Sequence, residues 1–152
     1  MRIHERVIKI MCNNNNENGN CICDILKVIL VLQENACPDT CLDSCDRPML
    51  GGGANCLICN TRPVMLYTCS QGSTALSMPI SKDITSCDTA ANCSNIFRVE
   101  KLDGCCCTLR VLQPNPDETS LNPYVGTNSF FTVNTNCLCC IRCLTDTYID
   151  CV

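Results

Sequence analysis

Cysteine content constrains this chain more than any other feature, since 19 of its 152 residues are cysteine. Such a content is typical of chains that are held together by disulfides or loaded with metal ions. The length suits one domain, whose core must consist of aliphatic and sulfur-containing side chains because aromatic residues make up only 4% of the chain. An odd number of cysteines cannot all pair within one chain, so at least one thiol is left over.

Charge and histidine content exclude several classes of function. The formal net charge of −4 argues against binding to nucleic acid or to an anionic membrane surface, both of which need clustered Lys and Arg. The longest apolar stretch, residues 25–32, contains Lys27 and is too short to span a bilayer. The single histidine, His4, lies in a polar tail, which argues against most histidine-based catalysis. We therefore predict a protein that is not an enzyme, holds no cofactor, and binds neither nucleic acid nor membrane.

The cysteines suggest an oxidising destination, yet the sequence shows no recognisable export signal. The apolar residues 7–11 are interrupted by Lys9, are too short for the core of a signal peptide, and lead into a run of asparagines. Three explanations stay open at this point. The thiols could bind metal in the cytosol, they could stay reduced, or they could be oxidised after the producing cell has opened.

The chain divides into a polar arm and one domain. Residues 1–20 are predicted to form a disordered N-terminal arm because the Asn run has nothing to bury, and Met11 directly before this run is a candidate translation start. Residues 21–152 are predicted to form a single cysteine-rich domain. A helix is predicted over residues 24–34 with Asp24 as its N-cap, although its β-branched content would also suit a strand.

Beyond the helix the sequence predicts short strands separated by turn residues. Residues 37–55 and 113–126 are rich in Pro and Gly and are predicted to be loops. Strands are predicted over residues 63–68, 74–80, 96–101, 105–113, 129–134, 137–144 and 147–152. The predicted fold class is therefore mainly β, a sandwich-like antiparallel domain with one short N-terminal helix and a disordered N-terminal arm.

One hairpin can be placed in register from its alternating pattern. A three-residue loop over residues 102–104 would pair Val99 with Cys107 and Phe97 with Leu109, and would place Gly104 where a positive φ is needed. The pattern then buries one set of side chains and leaves two cations unburied on the opposite face: Phe97, Val99, Leu109 and Val111 inside, Arg98 and Arg110 outside.

Cysteines are predicted on both faces of the sheet, because neighbouring residues on a strand point in opposite directions. Cys105 and Cys107 share the Leu109 face, whereas Cys106 lies opposite. Similarly, Cys140 lies opposite a face that carries Ile141, Cys137, Cys139 and Cys143. A covered second face would also account for cysteines on both faces. Together with the odd number of cysteines, however, this pattern favours disulfides between subunits. The candidates lie off the core face or in flexible segments: Cys12, Cys21, Cys23, Cys106 and Cys140.

Two CxxC pairs keep other chemistry open. Cys56–Cys59 could bind zinc together with Cys140–Cys143, or with the cysteines at 37, 41 and 45, which makes a cysteine-rich zinc-binding protein the alternative function. A thioredoxin-like oxidoreductase is a third hypothesis. It is disfavoured because residues 60–63, Asn-Thr-Arg-Pro, follow the first pair and do not read as a helix.

Several blocks are similar to a known family, the Y/Z-type spore coat and exosporium proteins of Bacillus-like spore formers. The more specific blocks are Asn60-Thr61-Arg62-Pro63 with Leu66-Tyr67-Thr68, and Phe97-Arg98-Val99-Glu100 with Leu109-Arg110-Val111-Leu112. Shorter matches occur at residues 21–25, 48–51 and 137–144, so that the resemblance runs from Met11 to the C-terminus.

The resemblance implies a structural, self-assembling protein of the spore coat or exosporium. Such a subunit would form hexameric units that tile into a disulfide-cross-linked protective sheet, with itself and other coat or exosporium proteins as partners. It would be made in the mother-cell cytoplasm without a signal peptide and oxidised as that cell lyses. This sequence of events would resolve the conflict between cysteine content and the missing export signal.

Overall fold

The computed structural model describes residues 20–35, 59–150 and 152 of the chain. These residues form one α-helix, α1 (Cys21–Asn35), and seven strands: β1 (Val64–Thr68), β2 (Met78–Pro79), β3 (Cys93–Ser94), β4 (Ile96–Asp103), β5 (Cys106–Pro114), β6 (Tyr124–Asn134) and β7 (Leu138–Cys143). The predicted mainly β, antiparallel fold with one N-terminal helix is confirmed. Residues 1–19 of the arm predicted over residues 1–20, and the loop predicted over residues 37–55, lie outside the described residues. No helix in the described part of the chain is long and apolar enough to cross a bilayer.

Helix α1 begins earlier than the sequence predicted because Asn20, and not Asp24, is its N-cap. The Asn20 Oδ1 atom accepts hydrogen bonds from the backbone N–H groups of Ile22 at 3.0 Å and Cys23 at 3.4 Å. These bonds satisfy two of the N–H groups that a helix leaves free at its start. Asp24 lies instead in the first turn, where a negative charge is favourable near the positive end of the helix dipole.

One face of α1 packs against the sheet. Its buried side chains recur at intervals of four, three and four residues, at Ile22, Leu26, Ile29 and Gln33. They meet the apolar side chains of the central strands in one core cluster, which also contains Val64, Leu66, Phe97, Val99, Cys107, Leu109, Val111 and Leu138. The helix is therefore held by burial of an aliphatic stripe, the main favourable contribution to folding.

The five-stranded sheet has the order β6-β5-β4-β1-β7, and β2 and β3 form a separate two-stranded sheet. Strands β6 and β7 are the edges of the larger sheet and have no second strand partner among the described residues. An unpaired edge presents free backbone N–H and C=O groups to other chains. Among the described residues, therefore, no strand covers the outer side of β6 or β7.

The β4–β5 hairpin keeps the predicted faces but not the predicted pairing. Val99 pairs with Leu109 and Phe97 with Val111, so the pairing is displaced by two residues. The turn is the two-residue Gly104–Cys105, and Gly104 has the expected positive φ of 58°. An irregularity between Val99 and Lys101 leaves Glu100 as an extra residue on β4, and such a bulge cannot be counted from alternation alone.

Burial confirms the apolar half of the hairpin prediction and corrects the other half. Phe97, Val99, Leu109 and Val111 are all fully buried. Arg98, however, is only 8% exposed, so the prediction that it is unburied was wrong. The reason is tertiary, since residues 60–61 hydrogen bond across its guanidinium.

Several strand boundaries also differ from the prediction. Strand β2 is only two residues long, and β6 begins five residues before its predicted start at 129, which shortens the predicted loop over 113–126. Residues 147–150 form no strand and make only an isolated bridge between Thr147 and Thr61. This segment lies where the chain returns over the second face of the sheet, and side-chain bonds from Asn60 to Ile149 add to the bridge.

The packing of α1 predicts different effects for two neighbouring substitutions. Leu26→Ala removes a side chain that is fully buried against the sheet and should cost about 2–5 kcal/mol of stability. Val28→Ala trims a side chain that is 57% exposed, and should change stability by less than about 0.5 kcal/mol. Urea unfolding followed by circular dichroism would measure both. Equal losses in the two variants would contradict this orientation of α1.

Candidate functional site

The two most specific sequence blocks lie side by side in the structure. Strand pairing sets Val64 against Phe97, which brings residues 60–63 next to residues 97–100. The Arg98 Nε atom donates to Thr61 Oγ1 at 2.8 Å, and Arg98 Nη2 donates to the Asn60 carbonyl at 3.3 Å. We call these two blocks and their hydrogen-bond partners the motif network.

Asn60 ties the C-terminal segment to this network. Its side-chain Oδ1 accepts from the backbone N–H of Ile149 and its Nδ2 donates to the Ile149 carbonyl, both at 2.9 Å. The amide side chain thus imitates the pairing of a β-strand. Backbone bonds between Thr61 and Thr147 add to the attachment, at 3.1 and 2.9 Å. Ile149 is fully buried as a result, so the second face of the sheet is covered here.

Gln33 connects the helix to the same network. Its Nε2 donates to the Val99 carbonyl at 2.7 Å, and its Oε1 accepts from the Arg62 backbone N–H at 3.2 Å. The Arg62 guanidinium also forms a two-point ion pair with Asp146, with N–O distances of 2.6 and 2.9 Å. This pair raises the pKa of Arg62 and lowers that of Asp146, but both side chains are more than a third exposed, so it contributes little stability.

Glu100 lies between two arginines that face each other across the hairpin. Arg98 is the register partner of Arg110, and like charges directly opposite are destabilising. One Glu100 oxygen, Oε1, accepts from Arg98 Nη1 and from Arg110 Nε, both at 2.9 Å. The Arg110 guanidinium also lies 4.5 Å from the centre of the Phe130 ring. The carboxylate therefore makes the close approach of two cations tolerable.

The motif network is internally saturated. Among the described residues, no buried side-chain nitrogen or oxygen lacks a hydrogen-bond partner. The open hollow beside it, about 310 Å³ in volume, has Arg62 and Asp146 at its wall, and they are already paired with each other. The network therefore has a structural role, in which it holds the helix, the sheet and the C-terminal segment together.

A second cluster lies at the start of α1, where the first turn of the helix meets the hairpin turn at residues 104–105 and the 3₁₀ turn Thr135–Cys137. Asn20 Nδ2 donates to the Thr135 carbonyl at 3.0 Å, and the Thr135 N–H donates to the Cys105 carbonyl at 2.8 Å. The Cys23 thiol donates to the Gly104 carbonyl at 3.5 Å. These bonds gather unpaired cysteines, which we call the thiol corner: Cys21, Cys23, Cys105, Cys106, Cys107 and Cys137.

The thiol corner contains both reactive and protected sulfur atoms. Cys21, Cys105, Cys106 and Cys137 are exposed, whereas Cys23 and Cys107 are buried. Burial, with a smaller contribution from the neighbouring Cys23, raises the pKa of Cys107 to about 12. Because the thiolate is the form that attacks a disulfide, Cys107 is poorly reactive near neutral pH and the exposed thiols are the available ones.

The structure brings together some of the predicted cross-linking residues. Cys21, Cys23 and Cys106 all lie in the thiol corner, with Cys23 buried there and the other two exposed. Cys140 is exposed on the edge strand β7, away from the corner. Cys12 lies outside the described residues.

Sequence reasoning missed two exposed thiols of the corner. Cys105 was predicted to share the core face with Cys107, but it lies in the hairpin turn, and Cys137 lies in the 3₁₀ turn Thr135–Cys137 rather than on a strand. Neither turn follows strand alternation, so the face assignments failed there. The Gly104 preceding Cys105 was the available signal, since a two-residue turn beginning with Gly would have exposed Cys105.

Two disulfides join cysteines within the described chain. Cys69, just after β1, is bonded to Cys139 on β7 with a Cα–Cα distance of 5.0 Å, and Cys87 is bonded to Cys93 at 5.6 Å. Both distances are normal for disulfides. Some cysteines of this protein therefore form disulfides within its own fold, whereas others remain free thiols.

The zinc alternative finds no assembled site in the described ranges. No group of three or more His, Cys, Asp or Glu side chains within residues 20–35, 59–150 and 152 is placed to hold a metal ion. Cys140 and Cys143 lie three residues apart on strand β7 and so point to opposite faces, which prevents them from binding one ion together. Cys56 of the other pair lies outside the described residues.

Comparison with known proteins identifies a family over most of the chain. Residues 10–123 match the family model described as spore coat protein Z. Both blocks of the motif network, residues 60–63 and 97–100, lie inside the matched region. Comparison with curated proteins finds no significant match, and neither does comparison with solved structures.

The motif network predicts that Glu100→Gln is strongly destabilising. Glutamine keeps the shape but cannot neutralise Arg98 and Arg110, so the variant should lose about 2–3 kcal/mol in urea unfolding. Asp146→Asn is the matched control, because it breaks an exposed ion pair with Arg62 and should lose less than about 1 kcal/mol. Equal losses in the two variants would show that Glu100 is no more important than a surface partner.

The thiol corner predicts an order of reactivity. With a pKa of about 12, only about one Cys107 thiol in ten thousand is ionised at pH 8, so iodoacetamide should modify Cys21, Cys105, Cys106 and Cys137 first. Mass spectrometry of peptides after brief labelling of the reduced, folded protein measures this order. Labelling in urea should abolish the difference, and early labelling of Cys107 in the folded protein would contradict its burial.

Proposed function

The chain belongs to the spore coat protein Z family, and on that premise we propose that it is a structural subunit of a self-assembled, disulfide-cross-linked shell at the spore surface. The observation that carries the proposal is that polar side chains are hydrogen bonded inside the protein while thiols are exposed on its surface. The polar side chains of the motif network are used in internal hydrogen bonds, whereas exposed thiols and unpaired strand edges face outward. That arrangement suits a building unit and provides no catalytic constellation among the described residues.

The partners in this proposal are further copies of the chain and other coat or exosporium proteins. Copies of the chain would form symmetric units that tile into a sheet. The family resemblance suggests that these units are hexamers. Contacts that do not close on themselves produce extended arrays, and open β edges supply such contacts. Synthesis in the mother-cell cytoplasm, followed by exposure to oxidant when that cell lyses, supplies the thiols in reduced form before they cross-link.

Non-covalent packing should direct assembly and disulfides should lock it afterwards. Exposed thiols in a reducing cytosol stay free, and thiol–disulfide exchange begins only when an oxidised disulfide is supplied. The cross-linking positions we propose are Cys12, Cys21, Cys23, Cys106 and Cys140, to which the structure adds Cys105 and Cys137 as exposed neighbours. Cys23 is buried in the isolated subunit, so its participation requires a local opening at the start of α1.

Expression of the chain alone tests this proposal. We expect ordered sheets, tubes or fibres in electron micrographs with reductant present, and resistance to boiling in detergent only after oxidation. A monodisperse monomer in light scattering, under both reducing and oxidising conditions, would overturn the proposal. Stoichiometric zinc in protein purified without chelator would instead favour the cysteine-rich metal-binding function.

Substitution of the cross-linking cysteines tests how the shell is locked. A variant with Ser at Cys12, Cys21, Cys23, Cys106 and Cys140 should still assemble but should run mostly as monomer and small species on non-reducing gels. A second variant adds Ser at Cys105 and Cys137. The matched control carries Ser at Cys69 and Cys139, which are bonded within the chain, and should keep the high multimers. Unchanged multimers in both test variants would place the cross-links elsewhere.

A further inference from the structure

Helix α1 has an apolar stripe that its own sheet does not cover. Ile25, Val28 and Leu32 are 39%, 57% and 47% exposed, and Cys21 one turn before them is also exposed. We call these four residues the outer seam. Its spacing of four, three and four residues repeats that of the buried stripe beside it. Each seam residue comes one position before its buried counterpart, and so lies about 100° around the helix axis from it. Val31, 54% exposed, widens the apolar surface on one side.

This spacing is the one by which two helices pack along their length. Apolar residues that alternate at intervals of three and four form the a/d seam of a coiled coil, in which each side chain inserts between residues of the facing helix. None of the four seam residues is charged. The charged Lys27 and Glu34 are exposed on another side of α1, where they would not be buried by a partner helix. Asp24 and Arg62 border Ile25 and Val28 and would lie at the rim of the contact, where Arg62 is already paired with Asp146.

We propose that the outer seam binds the outer seam of a second copy, with the two helices parallel about a two-fold axis, so that Cys21 of each copy faces the other and the pair is closed by a Cys21–Cys21 disulfide. This inference rests on the proposed function and names one contact of the assembly. In a two-fold contact each residue meets its own copy, which is harmless here because the seam carries no charge.

The size of the seam explains why a thiol belongs at its end. Three partly exposed aliphatic side chains remove only a few hundred Å² from water, below the ~800 Å² per partner of a standard interface. The contact is therefore weak until it is covalent. A parallel arrangement places the two Cys21 residues together, whereas an antiparallel one separates them by about the helix length, roughly 22 Å for 15 residues.

The covalent step is a two-electron oxidation. With glutathione disulfide as the oxidant, a Cys21 thiolate attacks one of its sulfur atoms and releases a glutathione thiolate, leaving a mixed disulfide. The second Cys21 thiolate then attacks the protein sulfur of that mixed disulfide and releases the other glutathione. Two protein thiols are oxidised, one disulfide is reduced to two glutathione thiols, and the protons lost by Cys21 are taken up by glutathione.

The test measures the Cys21–Cys21 peptide by mass spectrometry after incubation of the full chain with glutathione disulfide. Val28→Lys, which places a charge in the middle of the seam, should lower the yield of this peptide about tenfold. Glu34→Lys introduces the same residue on another side of the helix and should leave the yield within about twofold. Leu32→Gln is a second seam variant that should act like Val28→Lys if that variant folds poorly by circular dichroism.

The outcomes separate this inference from the function on which it rests. Equal Cys21–Cys21 yields in Val28→Lys, Leu32→Gln and Glu34→Lys would overturn the seam contact, as would Cys21 linked mainly to other cysteines in the wild type. If the seam variants destabilise the reduced monomer as strongly as Leu26→Ala does, the seam is covered by residues of the same chain. That result would also overturn the seam contact. Ordered arrays in either case would leave the shell function standing, whereas a wild type that never assembles would remove the function itself.

Discussion

The pairing of buried charge around Arg98 is the constraint on which the rest of this structure depends. A guanidinium that is almost entirely withdrawn from water must find hydrogen-bond acceptors. Arg98 finds two on the neighbouring segment, Thr61 Oγ1 and the Asn60 carbonyl, and a third on its own strand, Glu100. Satisfying it therefore fixes residues 60–61 against β4. The Asn60 side chain extends this network to Ile149, and Gln33, which bonds to the backbone of Val99 and Arg62, extends it to the helix. The hydrogen bonds that close around this buried cation and its neighbours thus set how helix, sheet and C-terminal segment meet.

This arrangement separates the interior of the protein from the surfaces that we propose for assembly. Polar groups in the motif network are paired, and the core beneath α1 consists of aliphatic side chains, Phe97 and Cys107. What stays unpaired faces outward: exposed thiols, the outer strand edges and the outer seam of α1. In the proposed assembly such a subunit would keep its fold while its neighbours change, because Asn60, Arg98 and Glu100 make their bonds within the chain.

The thiol corner shows how position controls chemistry among identical residues. Burial holds Cys107 protonated, whereas Cys105 and Cys106, directly before it, are exposed in the turn and at the start of β5. The turn at Gly104–Cys105 and the alternation of side chains along β5 therefore separate thiols that can exchange from one that cannot. The same corner holds Cys21 at the end of the outer seam, so oxidation and helix pairing in the proposed assembly would meet at one place.

The sequence alone determined the class of this protein and the faces of its central hairpin. Cysteine count, charge and a lone histidine favoured a structural role, alternation placed Phe97, Val99, Leu109 and Val111 inside, and the two motif blocks indicated the family. Only the tertiary structure decided the register, the helix cap and the burial of Arg98, since a bulge at Glu100, a cap shared with the Thr135 turn, and a distant segment folding over the sheet are not encoded in local periodicity. The same reason explains the thiol corner, because its cysteines belong to three segments that meet only after folding.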